Sequence, residues 1–108
     1  MSILYKKHYN AESNRVEYLF INFDYFDGNN LLSKLFAQEY NMEVSIKEDG
    51  IFYSITKLHA EDTEYVLVWH EDVGNYLYSV KQDESTLNLL EKRLKTIINR
   101  LNDILMEG

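Results

Sequence analysis

Apolar and polar positions follow a strand-like rhythm along most of the chain and a helical one at its end. Ile3–Tyr9 reads as a first strand, Asn10–Asn14 as a polar turn, and Arg15–Tyr25 as a second strand. The centre of that second strand, Tyr18-Leu19-Phe20-Ile21, is apolar at consecutive positions, the pattern of a strand covered on both faces. Asp27-Gly28-Asn29-Asn30 then breaks the strand and offers an Asn cap to a short helix over Leu31–Tyr40. Met42–Lys47 alternates, with Met42, Val44 and Ile46 on one side and Glu43, Ser45 and Lys47 on the other. Asp49-Gly50 predicts a tight hairpin whose two central residues take positive φ. Ile51–Leu58, Tyr65–His70 and Asn75–Val80 complete a four-strand antiparallel meander with polar turns at Ala60–Thr63 and Glu71–Gly74.

The last element has the clearest period. Leu87, Leu90, Leu94, Ile97, Ile98, Leu101, Ile104 and Leu105 fall on one side of a helix and no charged residue enters that stripe. Six of these positions keep the alternating three- and four-residue steps of a coiled-coil seam, but Ile98 and Leu105 widen it. A stripe of that width is expected against the protein's own sheet rather than a second helix. The element order predicts a single α+β domain over residues 1–108. It holds an antiparallel sheet of about six strands in the order β-β-α-β-β-β-β-α, packed against the long C-terminal amphipathic helix.

Composition narrows the function classes. The 108 residues include no Cys, which removes disulfides, thiolate metal sites and a cysteine nucleophile. Net charge is −7, the wrong sign for displacing counterions from nucleic acid or for docking on an anionic membrane. No apolar run has the length of a bilayer span, and Met1–Lys7 lacks the apolar centre of a signal peptide, so a cytoplasmic location is expected. Frequent Lys, Asn, Ile and Tyr with only three Arg and no Pro suit an AT-rich bacterial or phage genome.

Candidate chemistry is sparse. Two acid–histidine clusters, His59-Ala60-Glu61-Asp62 and His70-Glu71-Asp72, contain the raw material of a zinc site or an acid–base pair. Hairpin pairing would place His59 and His70 at opposite ends of the sheet, and His8 lies on another segment. Asp24, Asp27, Asn29 and Asn30 lack the alternating spacing of a calcium loop. Ser33, Ser54 and Ser79 have no neighbouring base. No catalytic residue, cofactor or metal is therefore assigned.

Charge and aromatic placement say more. Residues 39–72 hold nine acids against Lys47 and Lys57, the whole of the net −7, while the rest of the chain carries nine of each sign. Alternate hairpin turns share an end of a sheet, so Glu48, Asp49, Glu71 and Asp72 should cluster. A four-residue turn at Glu71–Gly74 would set Trp69 opposite Tyr76 and Leu67 opposite Tyr78. Trp69, Tyr76 and Tyr78 would then share one face with Tyr65 and Leu67, with Val66, Val68 and Leu77 on the other. Both faces would be apolar: either a helix covers each, the expected arrangement, or one is an exposed aromatic patch of the kind found at partner sites. These features predict a non-catalytic protein-binding domain of the immunity, inhibitor or chaperone kind. Its partner-binding residues would be Glu48, Asp49, Trp69, Glu71, Asp72, Tyr76 and Tyr78. The partner would be another protein with a basic surface, or a second copy of the chain in a homodimer, without direct nucleic-acid contact. The alternatives are a small-ligand domain with an aromatic-lined pocket and a nucleic-acid-mimicking inhibitor.

Overall fold

The computed structural model describes every residue except Met1, Phe26 and Gly108, and side chains for all the described residues but Met106 and Glu107. Six strands and two helices follow the expected order: β1 (Leu4–Asn10), β2 (Arg15–Ile21), α1 (Gly28–Tyr40), β3 (Glu43–Asp49), β4 (Tyr53–Ala60), β5 (Thr63–His70), β6 (Gly74–Ser79) and α2 (Glu84–Glu107). One antiparallel sheet contains all six strands in the order β1-β2-β6-β5-β4-β3. The meander β3–β6 forms as its turns predict, and its last strand pairs with β2. Helix α1 therefore carries the chain from β2 across the sheet to the far edge.

Local chemistry sets the ends of these elements. Asn22, at φ 65°, bends the chain out of β2 after Ile21, four residues before the expected strand end at Tyr25. Asn41 closes α1 in the left-handed conformation, donating its N–H to Ala37 O. Asp83 caps α2: its carboxylate accepts from the Thr86 N–H at 3.1 Å and from the Ser85 and Thr86 hydroxyls at 2.7 Å each. These bonds favour the charged form and hold the Asp83 carboxyl down at about 2.

Both helices pack on the same face of the sheet. Leu32, Leu35 and Phe36 of α1 share one core with Leu90, Leu94, Ile97, Ile98 and Leu101 of α2. The sheet contributes Tyr18, Phe20, Leu58, Tyr65, Leu67 and Leu77, alternate positions that point to that side. Polar contacts fix the register of the layers. Asn29, buried at the start of α1, donates to Leu67 O at 3.2 Å and accepts from Thr56 Oγ1 at 2.6 Å. Arg93 of α2 donates to the Tyr65 hydroxyl at 3.0 Å and lies 4.9 Å from the Tyr40 ring centre, and the Tyr40 hydroxyl donates back to Arg93 O at 3.2 Å.

This one-sided packing corrects the expectation of a helix on each face. Leu19, Val66, Val68, Tyr76 and Tyr78 lie on the face that neither helix covers. The facing pattern of β5 and β6 is corrected as well. Trp69 pairs with Asn75, Val68 with Tyr76 and Val66 with Tyr78, so Tyr76 and Tyr78 share a side with the valines and not with Trp69. The cause is a three-residue turn: Val73 N–H donates to His70 O, and Gly74, at φ +89°, enters the strand as the pairing partner of His70. That is a type I turn followed by a left-handed bulge residue. One residue fewer in the turn exchanges the faces of one strand relative to its neighbour. In β3 a bulge between Val44 and Ile46 has the same effect, so these two residues do not share a side.

The α2 stripe is core along its middle, where Leu90, Leu94, Ile97 and Leu101 are fully buried and Ile98 nearly so, whereas Ile104 and Leu105 at its end are 40% and 45% exposed. Leu94→Asp should abolish cooperative folding, and Leu94→Ala should cost about 2–5 kcal/mol in a urea titration. A folded Leu94→Asp monomer by circular dichroism would move the stripe out of the core.

Candidate interaction surface

Three chain segments meet at one end of the sheet. The β3–β4 turn lies beside the β5–β6 turn, and the Glu71 N–H donates to Phe52 O at 2.9 Å, locking the two together. The third segment is the loop between β2 and α1. Asn75 donates from Nδ2 to Phe23 O at 3.0 Å and Tyr25 O at 3.1 Å, and the Trp69 indole N–H donates to Asp24 O at 2.9 Å. Gly74 also belongs to this junction, because a Cβ there would come within 3.0 Å of Asp24 Cβ.

The β3–β4 turn departs from its predicted form. Asp49 ends β3 and pairs with Ser54, whose hydroxyl donates to Asp49 Oδ1 at 2.5 Å. Gly50 N–H donates to Tyr53 O at 2.8 Å, so Ile51 and Phe52 occupy the tip. Neither Asp49 nor Gly50 has positive φ. Glycine at position 50 instead leaves room for the Tyr53 ring, into which a Cβ would run. The result is an apolar tip in water, with Ile51 86% exposed and Phe52 56% exposed. Val73, 48% exposed, tops the neighbouring turn, and Tyr25, 59% exposed, tops the loop.

Acids surround these side chains. Asp24, Asp27, Glu48, Asp49, Glu71 and Asp72 are all exposed. Among the described residues none of the six lies within 4.0 Å of a basic group. Lys47, the base nearest in sequence, donates to Asn30 Oδ1. The opposite end of the sheet also carries acids, but there Asp62 pairs with Lys81 at 3.5 Å and Glu43 lies 3.7 Å from His59 Nε2.

The sequence-predicted residues therefore divide three ways. Asp49, Glu71 and Asp72 meet at the acidic end. Glu48 reaches it from the free face of the sheet, where Tyr76 and Tyr78 also lie. Trp69 is on the helix-covered side, half-buried beneath the β2–α1 loop. Asp24, Asp27, Tyr25, Ile51, Phe52 and Val73 were not foreseen at this site. Hydrophobicity assigns Ile51 and Phe52 to a strand interior, and only the Asp49–Ser54 closure of the hairpin pushes them out to its tip.

Acid–base and metal chemistry find little here. His70 Nδ1 accepts from the Asp72 N–H at 3.1 Å. His59 lies six residues from Tyr53, the pairing partner of His70, a separation of roughly 20 Å along β4. Among the described residues no group of three or more His, Asp or Glu side chains is placed to hold a metal ion. A part-buried titratable cluster on the helix side of the sheet is structural. Tyr5 donates to Glu91 at 3.1 Å, Lys7 pairs with the same carboxylate at 3.4 Å, and burial with that nearby charge pushes the Tyr18 hydroxyl up to about 12. It ties α2 to the β1–β2 hairpin. Two open depressions, of about 390 and 480 Å³, flank His59, and Tyr40 is the one aromatic residue lining either. No helix among the described residues is long and apolar enough to cross a membrane.

Comparison with protein families, curated proteins and solved structures finds no match, so the surface has to be read from its own residues.

Gly74 is the residue on which the site's geometry turns. Gly74→Ala forces a side chain into positive φ against Asp24 and should cost about 1–2 kcal/mol. A urea midpoint unchanged from the parent protein would show that the bulge is not needed.

Proposed function

We propose that this chain is a non-catalytic binding domain that captures a basic protein partner with the acidic end of its sheet. The observation that carries the reading is the Glu71–Phe52 hydrogen bond, which joins two turns so that unpaired carboxylates ring the exposed Ile51, Phe52 and Val73. Exposed apolar side chains inside a charged rim suit a protein partner, since desolvated apolar contacts supply affinity and the rim supplies steering. Unpaired acids keep their full field, whereas Asp62 at the other end is partly offset by Lys81. An inhibitor or immunity-type protein of a bacterial or phage cytoplasm is the setting that the acidic, cysteine-free composition suits.

A lysine-rich peptide interspersed with leucine is a sufficient probe. Amide chemical shifts should move at residues 48–53 and 70–74, and the association should weaken as salt rises. The double variant Glu71→Lys/Asp72→Lys should lower the association rate at low salt about tenfold without altering the fold. Shifts concentrated at residues 60–64, or rates unchanged in the double variant, would remove this end of the molecule from consideration.

A further inference from the structure

We propose that the helix-free face of the sheet is the contact between two copies of this chain, related by a two-fold axis that runs along the strands. One row of paired residues crosses all six strands on that face: Lys6, Leu19, Tyr76, Val68, Ile55 and Glu48, on β1, β2, β6, β5, β4 and β3 in turn. Four apolar residues occupy its centre, Leu19, Tyr76 and Ile55 half-buried and Val68 buried among its neighbours, with a base at one end and an acid at the other. The adjacent row has Glu17 on β2 and Lys57 on β4, flanking Tyr78 and Val66. A two-fold along the strands lays β1 over the partner's β3, β2 over the partner's β4 and β6 over the partner's β5. Lys6 then faces the partner's Glu48, Leu19 faces the partner's Ile55 and Tyr76 faces the partner's Val68, while Glu17, buried and already engaged by Arg15 at 2.7 Å, lies opposite the partner's Lys57. Each contact occurs twice, as an isologous interface requires. The alternative two-fold, across the strands, would set Ile55 against the partner's Lys57 and Lys6 against the partner's His8.

Charge permits self-association through this face. Lys6, Arg15 and Lys57 stand against Glu17, Glu43, Glu48 and Glu64, three bases to four acids, a balance of −1 within a chain of net −7. This face is nearly neutral, but the axis along the strands sets the acidic ends of the two copies at the same end of the dimer, so raising the salt should tighten it. Arg15 covers the Tyr78 ring at 3.7 Å and engages Glu17 at 2.7 Å, so the rows are held in place before contact. Size also fits. Six strands about 4.8 Å apart and seven residues of about 3.4 Å make a face near 700 Å², comparable with the roughly 800 Å² per partner of a specific interface. Aligned sheets cross at about 30°, which displaces the edge positions by about 6 Å, within the combined reach of a Lys and a Glu side chain.

Sedimentation of the full chain from micromolar to millimolar concentration tests the proposal. The parent protein should reach twice 12.9 kDa. Lys6→Glu and Glu48→Lys alter exposed side chains, and each turns both symmetric pairs from attraction to repulsion, raising the dimer dissociation constant at least about tenfold. An equimolar mixture of the two variants should recover the dimer, because both pairs in the mixed species are again opposite in charge. Glu71→Lys/Asp72→Lys should leave the dimer intact, which separates this proposal from the partner-binding reading. A parent protein that stays monomeric at millimolar concentration would overturn the assignment. So would a dimer indifferent to both reversals, or a mixture no tighter than its components.

Discussion

Burial of the α2 stripe against a single face of the sheet is the contact on which the rest of the molecule depends. Leu90, Leu94, Ile97 and Leu101 reach full burial only because Tyr18, Leu77, Leu67 and Tyr65 present alternate strand positions to the same side. Helix α1 joins that layer, with Asn29 satisfied by Leu67 and Thr56 and Tyr40 sharing Arg93 with Tyr65. With no cysteine to staple it, the chain relies on this core and on the polar contacts that register its layers. Placing both helices on one side leaves the other parity of every strand without a covering layer.

Much of this was legible in the residues. The three- and four-residue steps of α2, the clean alternation of the meander and the position of Glu48, Asp49, Glu71 and Asp72 at one end all follow from period and hairpin parity. The faces of the strands did not follow, because they depend on single residues in turns. Gly74 is as compatible with a four-residue turn as with a bulge, and that choice decides whether Tyr76 sides with Trp69 or with Val68. The bulge between Val44 and Ile46 is silent in an alternating sequence. Ile51 and Phe52 were misplaced for a different reason. Apolar residues are read as interior, and here the hairpin closes one step beyond them.

The consecutive apolar run Tyr18–Ile21 shows how the same pattern can have two causes. Tyr18 and Phe20 enter the core, while Leu19 and Ile21 face away from the helices. A strand apolar on both parities had suggested a helix on each side. Under the proposed self-association the second cover is a second sheet, which reconciles the pattern with the one-sided fold. The two working surfaces would then be electrostatically distinct. The sheet face is nearly neutral and self-complementary, whereas the turns carry unpaired acids that favour a basic partner over a second copy. Dimerisation across the sheet would bring both acidic ends to the same end of the dimer, with their tips still exposed.

The one-sided sheet itself is best tested by hydroxyl-radical footprinting of the tyrosines in dilute solution. Tyr18 and Tyr65, fully buried between sheet and helices, should be protected, while Tyr76 and Tyr78, half-buried on the free face, are oxidised. Protection of all four in a dilute monomer would mean that a helix covers that face. Oxidation of Tyr18 as fast as Tyr76 would mean that α2 does not lie where the core requires it.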